Sequence, residues 1–188
     1  MKARTLVIRP ILFLSILLLP VPWAAARTRP VTLPETAALA RDVAVVTCTG
    51  QSVNQAPGNG QLVFTTWMFR KESALKDGGL PETFSLKVIG GTVGKLRVTV
   101  PDAPVFLKGK HYVVFLRPKA SDPKAFLVCG ASRGVLEARK TAAGAWEVQL
   151  PAGKSPAGKA AASAPGTKGA WVPLSDFTSA LSVKGGRP

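Results

Sequence analysis

The chain has 188 residues, enough for one domain with a hydrophobic core plus appendages. Its 25 Lys and Arg residues exceed its 10 Asp and Glu residues, which gives a formal net charge of +15 at pH 7. With one histidine (His111) and two cysteines, the chain has few side chains suited to acid–base catalysis, nucleophilic catalysis or metal binding. The composition therefore predicts a protein that is not an enzyme and has no cofactor or metal.

Residues 1–26 have the layout of a secretory signal peptide. Three basic residues fall within the first nine, the apolar run Ile11–Leu19 follows, and Ala24–Ala26 supplies small residues for cleavage. The apolar run is too short to span a bilayer comfortably, and no second run follows. We therefore expect a cleaved leader and export to the periplasm or the medium, with no transmembrane segment in the mature chain. An uncleaved N-terminal anchor is the alternative.

A mature chain starting at Arg27 would keep 22 basic and 10 acidic residues, a net charge of +12. This excess can attract an anionic envelope polymer or an acidic protein, or it can simply keep the protein soluble. The cations are spread along the chain and aromatic residues rarely lie between them, unlike the pattern of nucleic-acid sites. We therefore expect no nucleic-acid partner.

Residues 27–40 are predicted to be an N-terminal arm, extended over Arg27–Pro34 and with one helical turn over Glu35–Ala40. The first strand is expected from Asp42, because the segment Val43–Val53 is rich in β-branched residues. Asn54–Gly60 combines proline, glycine and an Asn-Gly pair, which predicts a hairpin turn.

Leu62–Arg70 carries apolar bulk at both odd and even positions, so it is predicted to be a central strand covered on both faces. Lys71–Gly79 is expected to turn the chain. Thr83–Ile89 alternates apolar and polar residues and should be a strand that the Gly90-Gly91 pair ends. Leu96–Val100 repeats the alternation.

Four more strand-like segments follow, at His111–Arg117, Phe126–Cys129, Val135–Arg139 and Trp146–Leu150. Many short strands with turns at near-regular spacing, and almost no helical periodicity, favour an all-β domain over residues 41–150. This domain is expected to be a small barrel or sandwich.

Residues 151–170 contain no aromatic or branched apolar residue and are rich in Pro, Gly, Ala and Lys, which predicts a flexible cationic linker or loop. Residues 171–188 regain hydrophobic content. Leu174, Phe177 and Leu181 fall at helical spacing, so we expect a short C-terminal helix that docks on the β-domain.

The two cysteines, Cys48 and Cys129, each lie in an apolar, strand-like segment. In an exported protein such a pair is expected to form a disulfide that joins an early strand to a late one. The alternative is two buried free thiols that behave as small hydrophobes.

Five stretches occur in a recognisable order: the strand from Asp42, TTWMFRKESALK, KVIGG, PVFLKGKHYVVFL and FLVCGASRGVLEA. Over Asp42–Arg139 the chain thereby resembles a group of uncharacterised exported bacterial proteins, which are similar to the netrin/TIMP-like branch of OB-fold barrels. The resemblance implies a small OB-like barrel. It does not carry over metalloproteinase inhibition, because inhibitors of the TIMP type use an N-terminal cysteine, whereas the mature chain would begin at Arg27.

The sequence thus predicts a non-enzymatic exported module that binds a protein or an anionic envelope partner. One aromatic residue and four cations are the candidate binding residues: Trp67, Arg70, Lys71, Lys87 and Arg97. The alternatives are core packing for the tryptophan and a solvated face for the cations. The second functional hypothesis is a protease inhibitor that presents a rim loop, either Asn54–Gly60 or Thr92–Lys95.

Overall fold

The computed structural model describes residues 32–58, 62–151 and 169–182. The predicted signal peptide (1–26) lies outside these ranges, as do residues 27–31 of the predicted arm and almost all of the predicted linker (151–170). Among the described residues, no helix is long and apolar enough to cross a membrane.

The described part is mostly β, with a short helix near the C-terminus, as predicted. A 3-10 turn (Ala131–Gly134) precedes the eighth strand. In chain order the helices and strands are α1 (Leu33–Leu39), β1 (Asp42–Gln55), β2 (Val63–Lys76), β3 (Thr83–Ile89), β4 (Gly91–Val93), β5 (Leu96–Val98), β6 (His111–Lys119), β7 (Asp122–Val128), β8 (Val135–Lys140), β9 (Trp146–Gln149), β10 (Trp171–Pro173) and α2 (Leu174–Ser182).

Eight strands form one sheet in the order β1-β2-β3-β7-β6-β8-β9-β10. All neighbours are antiparallel except β3 and β7, which are parallel and meet at one residue pair, Leu86 and Phe126. β1 also pairs with β6 through Asp42–Thr47, so β1, β2, β3, β7 and β6 each have two neighbours within this group of five. β4 and β5 form a separate hairpin.

β1 and β6 separate two hydrophobic cores, because neighbouring residues of a strand point to opposite faces. On β1, Ala44 and Val46 enter one core while Val43 and Val45 enter the other. The first core holds the aromatic side chains Trp67, Phe69, Phe84, Phe106 and Tyr112. The second core lies under the helices and the last strands, with the side chains of Phe115, Leu136, Val148, Leu150 and Phe177.

Both helices pack over the second core. α1 begins within the predicted extended arm, because Thr32 and Glu35 form a capping box in which each side chain binds the other residue's backbone N–H. In α2 the predicted stripe is confirmed: Phe177 is buried against Phe115, and Leu174 and Leu181 pack beside it.

The prediction that Leu62–Arg70 is covered on both faces is wrong. In β2 the side chains of Trp67 and Phe69 are buried, whereas Met68 and the preceding residue Leu62 are exposed. β2 also runs on to Lys76 instead of turning after Arg70. The strands with both faces buried are β1 and β6, where the second layer covers what would otherwise be the outer face.

The predicted disulfide is also wrong. Cys48 and Cys129 are both free and buried. Cys48 belongs to the first core and Cys129 to the second, so the layer of β1 and β6 lies between them. A disulfide requires Cα atoms within about 7 Å and side chains directed at each other, which these two positions do not provide.

Candidate functional site

Residues 99–110, here called the strap, connect β5 to β6 without regular secondary structure. Phe106 anchors the strap: its ring meets those of Trp67, Phe69 and Tyr112 edge to face, at centroid distances of 5.5, 4.8 and 5.1 Å. The Tyr112 hydroxyl accepts a hydrogen bond from the Leu107 N–H at 2.8 Å. The strap is therefore held against the first core by these contacts and by backbone hydrogen bonds of Gly109 and Lys110 to Cys48, and a cleft lies on each side of it.

The larger cleft has a volume of about 540 Å³ and lies between the strap, the β4–β5 hairpin and the ends of β1, β2 and β3. Trp67 is 8% exposed and lines this cleft. The polar lining residues are Gln51, Thr65, Thr92, Arg97 and Thr99. Arg97 is the charged residue among them, and neither Asp nor Glu lines the cleft.

The rim of the larger cleft is apolar and open to water. Ile89 and Val100 are 46% and 37% exposed, and Val105 and Leu107 on the strap are 72% and 61% exposed. All four line the cleft. Apolar side chains gathered at the mouth of a concavity are the usual mark of a binding site, since a partner removes them from water.

The smaller cleft, of about 330 Å³, lies on the other side of the strap, where β3 and β7 separate after their one bridge. It shares the wall residues Val88, Ile89, Val100, Ala103 and Pro104 with the larger cleft. Its charged lining residues are Lys87, Asp102 and Arg117. The smaller cleft therefore presents a carboxylate as well as two cations, whereas the larger cleft presents a cation alone.

Gly91 brings the β4–β5 hairpin close to the sheet. Its φ of +135° is one that a residue with a side chain rarely adopts. A Cβ at this position would lie 2.7 Å from Oγ1 of Thr65 and 2.8 Å from Cγ1 of Val53. The Gly90-Gly91 pair, which ends β3 as predicted, thus lets the backbone pass against β1 and β2 and form one wall of the larger cleft.

The structure divides the predicted binding residues among three places. Trp67 and Arg97 both line the larger cleft. Lys87 lines the smaller one, with its ammonium group 4.3 Å from the centroid of the Phe64 ring. Arg70 and Lys71 line neither cleft.

Arg70 and Lys71 have partners of their own. The Arg70 guanidinium donates to Oε1 of Glu72 at 2.9 and 3.1 Å. Lys71, whose side chain is 15% exposed, donates to the Leu80 carbonyl at 2.8 Å and forms an ion pair with Glu82 at 3.2 Å. Arg70 thus pairs within β2 and Lys71 ties β2 to the loop before β3, so neither belongs to the candidate site.

Sequence reasoning missed a polar cluster made by Thr47, Glu72 and His111. The Thr47 hydroxyl donates to Oε1 of Glu72 at 2.5 Å and lies 2.8 Å from Nδ1 of His111. The hydrogen bond from Thr47, together with those from Arg70, lowers the pKa of the Glu72 carboxyl. The three residues are distant in sequence, and only the pairing of β1 with both β2 and β6 brings them together.

This cluster joins three strands. The hydroxyl proton of Thr47 is directed to a carboxylate, and its oxygen faces the imidazole, so both of its hydrogen-bonding directions are used. Thr47 is also buried. In the part of the chain that the structure describes, no three His, Cys, Asp or Glu side chains gather in a way that could hold a metal ion.

The two predicted rim loops lie at different places. Thr92–Lys95 includes the exposed tip of the β4–β5 hairpin, beside the larger cleft. Asn54–Gly60 begins with the last two residues of β1, and its own last two residues lie outside the described ranges. No protein-family model, curated protein or solved structure matches this chain.

Proposed function

We propose that this protein is an exported, non-enzymatic binding module, built on a small OB-like barrel, that binds an anionic and partly apolar partner in the larger cleft. The observation that carries the proposal is the lining of that cleft. It combines an apolar rim with Arg97 and contains no carboxylate. A protein segment or an envelope polymer with these two properties would gain both apolar burial and charge pairing.

The strand pairings support the barrel. β1, β2, β3, β7 and β6 pair in a cycle, since β1 returns to β6, and β3 and β7 are parallel. A five-stranded Greek-key barrel that is partly open has this character, and it offers its strands and loops as a binding surface. β8, β9, β10 and the helices then form an outer layer over one side.

The proposal is tested with decanoate as a simple apolar anion, titrated into the purified protein by isothermal calorimetry. Arg97→Glu should weaken binding about tenfold, because it replaces an attraction by a repulsion. Lys124→Glu makes the same charge change at an exposed site outside both clefts and should leave binding unchanged. Equal affinity in the two variants would refute the role of the cleft.

Export is tested separately by N-terminal sequencing of the protein recovered from the envelope or the medium. The signal-peptide hypothesis predicts a mature chain that begins at Arg27. An N-terminus at Met1 in the mature protein would support the uncleaved anchor instead.

A protease inhibitor with TIMP-like architecture is the second candidate, favoured by the exposed tip of the β4–β5 hairpin at Gly94 and Lys95. A panel of secreted metallo- and serine proteases, assayed with a large excess of the protein, tests it. Inhibition that Lys95→Ala abolishes would support this reading, and full protease activity throughout the panel would end it.

A further inference from the structure

We propose that the free edge of β5 is a docking site for an acidic peptide segment, which binds in an extended conformation and adds a third strand to the β4–β5 hairpin. This inference rests on the proposed function, because it names the class of partner that the larger cleft would take.

The backbone N–H and C=O of Arg97 point away from β4, toward the outer edge of the hairpin. Gly94 and Lys95 form a two-residue turn, with φ of +57° at Gly94, as a type II′ turn requires at its first central position. In such a hairpin the pair that closes the turn, Val93 and Leu96, exchanges two backbone hydrogen bonds. The next pair to do so is Gly91 and Val98, which skips the pair of Thr92 and Arg97. The N–H and C=O of Arg97 therefore face outward.

This edge has no second strand beside it in the described part of the chain, where β5 pairs with β4 alone. Residues 97–100 line the larger cleft, so the edge borders that cleft. Outward backbone groups on an edge strand are a ready template for another extended chain. Main-chain hydrogen bonds would supply affinity whatever the partner's sequence.

The cleft supplies the side-chain preference. Alternate residues of an added strand point to the same face, so every second side chain of the partner could enter the cleft. There it would meet the exposed apolar groups of Val100, Val105 and Leu107. The partner should therefore carry apolar residues at alternate positions.

The charge at this edge selects an acidic partner. Arg97 and Lys95 are exposed, and neither forms an ion pair with a carboxylate among the described residues. Cations on an edge strand also repel a second copy of a basic chain, which discourages self-association. With a net charge of +12 in a mature chain that starts at Arg27, two copies of this protein would repel each other, whereas glutamate side chains next to the apolar positions would be attracted.

Three probes are compared by calorimetry on the purified protein: a capped heptapeptide of alternating glutamate and valine, the same peptide N-methylated at its three central residues, and decanoate. We expect N-methylation to weaken peptide binding about tenfold or more, since it removes backbone hydrogen bonds. Arg97→Gln should weaken it about two- to fivefold, as for an exposed ion pair, whereas Lys124→Gln should not. Bound peptide should also slow hydrogen exchange at the Arg97 amide.

The probes separate the two proposals. Equal binding of the two peptides, or binding of decanoate alone, would overturn strand addition and leave the larger cleft as a site for apolar anions. Absence of binding by all three probes would overturn both. Peptide binding without slower exchange at the Arg97 amide would also count against strand addition, because a peptide docked elsewhere leaves that edge open.

Discussion

The indole ring of Trp67 meets the ring of Phe106 edge to face, with 5.5 Å between the ring centroids. One of these rings belongs to β2 and the other to the strap. The contact therefore joins the sheet to the segment that separates the two clefts, and it gives Trp67 a structural role in addition to its place in the cleft lining.

Phe106→Ala should destabilise the protein by about 3–5 kcal/mol, because it removes a fully buried aromatic side chain and leaves a cavity between Trp67, Phe69 and Tyr112. Urea denaturation measures the change in unfolding free energy. Val105→Ala, next to it on the strap and 72% exposed, is the matched control and should change stability by less than about 0.5 kcal/mol. Similar losses in both variants would mean that Phe106 does not anchor the strap.

Gly91→Ala should cost about 3 kcal/mol, since the new methyl group would meet Thr65 and Val53 and the residue would have to keep a φ of +135°. Gly94→Ala is the control. Its φ is also positive, but a Cβ there meets nothing within 4 Å, so we expect a loss of about 1 kcal/mol. Thermal unfolding followed by circular dichroism compares them, and equal melting temperatures would contradict the close approach at Gly91.

Glu72→Gln should change how stability depends on pH. The folded state lowers the pKa of Glu72, so the ionised carboxylate stabilises the fold at neutral pH, and this contribution is lost as the pH falls through the lowered value. The variant should therefore be less stable than the native protein at pH 7, and the difference should shrink below about pH 4.5. Urea unfolding at several pH values measures this.

Two further variants show whether the Thr47 hydrogen bond is the cause. Thr47→Val removes the hydroxyl that contributes most to the lowered pKa and should reduce the same pH dependence. Glu82→Gln changes an exposed carboxylate on the next turn and should leave the pH dependence close to that of the native protein. A native-like pH profile for Thr47→Val would assign the effect to Arg70 and His111 instead.

Both cysteines should be free and unreactive in the folded protein. Burial raises the pKa of the Cys48 and Cys129 thiols and keeps reagents away from them. Titration with a thiol reagent, without added reductant, should therefore detect no thiol in the native protein and both thiols after denaturation. Ser85→Cys, at an exposed position on β3, should react in the native state and serves as the positive control. If the denatured protein showed no free thiol, the result would support the predicted disulfide instead.

Local sequence pattern gave the position of most strands. Thr83–Ile89 is a strand with the predicted bounds, because its apolar and polar residues alternate and glycines follow it. The helical stripe at Leu174, Phe177 and Leu181 was likewise readable from spacing alone. Both signals depend on neighbours within a few residues, which the sequence displays directly.

The hydrophobic pattern of the sequence could not show which strands have two buried faces. The runs Val43–Val46 and Tyr112–Leu116 are apolar at every position, as is much of Leu62–Phe69, yet only the first two lie under a second layer. The choice depends on where β8, β9 and the helices pack. For the same reason the two cysteines looked able to pair, although the layer of β1 and β6 separates them.

The sequence by itself determined a mostly β chain with a terminal helix, a strong positive charge and only one histidine, since these follow from composition and from contacts between near neighbours. The tertiary structure alone decided which candidate residues share a site. Trp67 and Arg97 line one cleft, whereas Arg70 and Lys71 form ion pairs away from it. Thr47 forms hydrogen bonds with Glu72 and His111. The physical reason is that strand pairing brings together residues far apart in the chain, and its register appears in no local pattern.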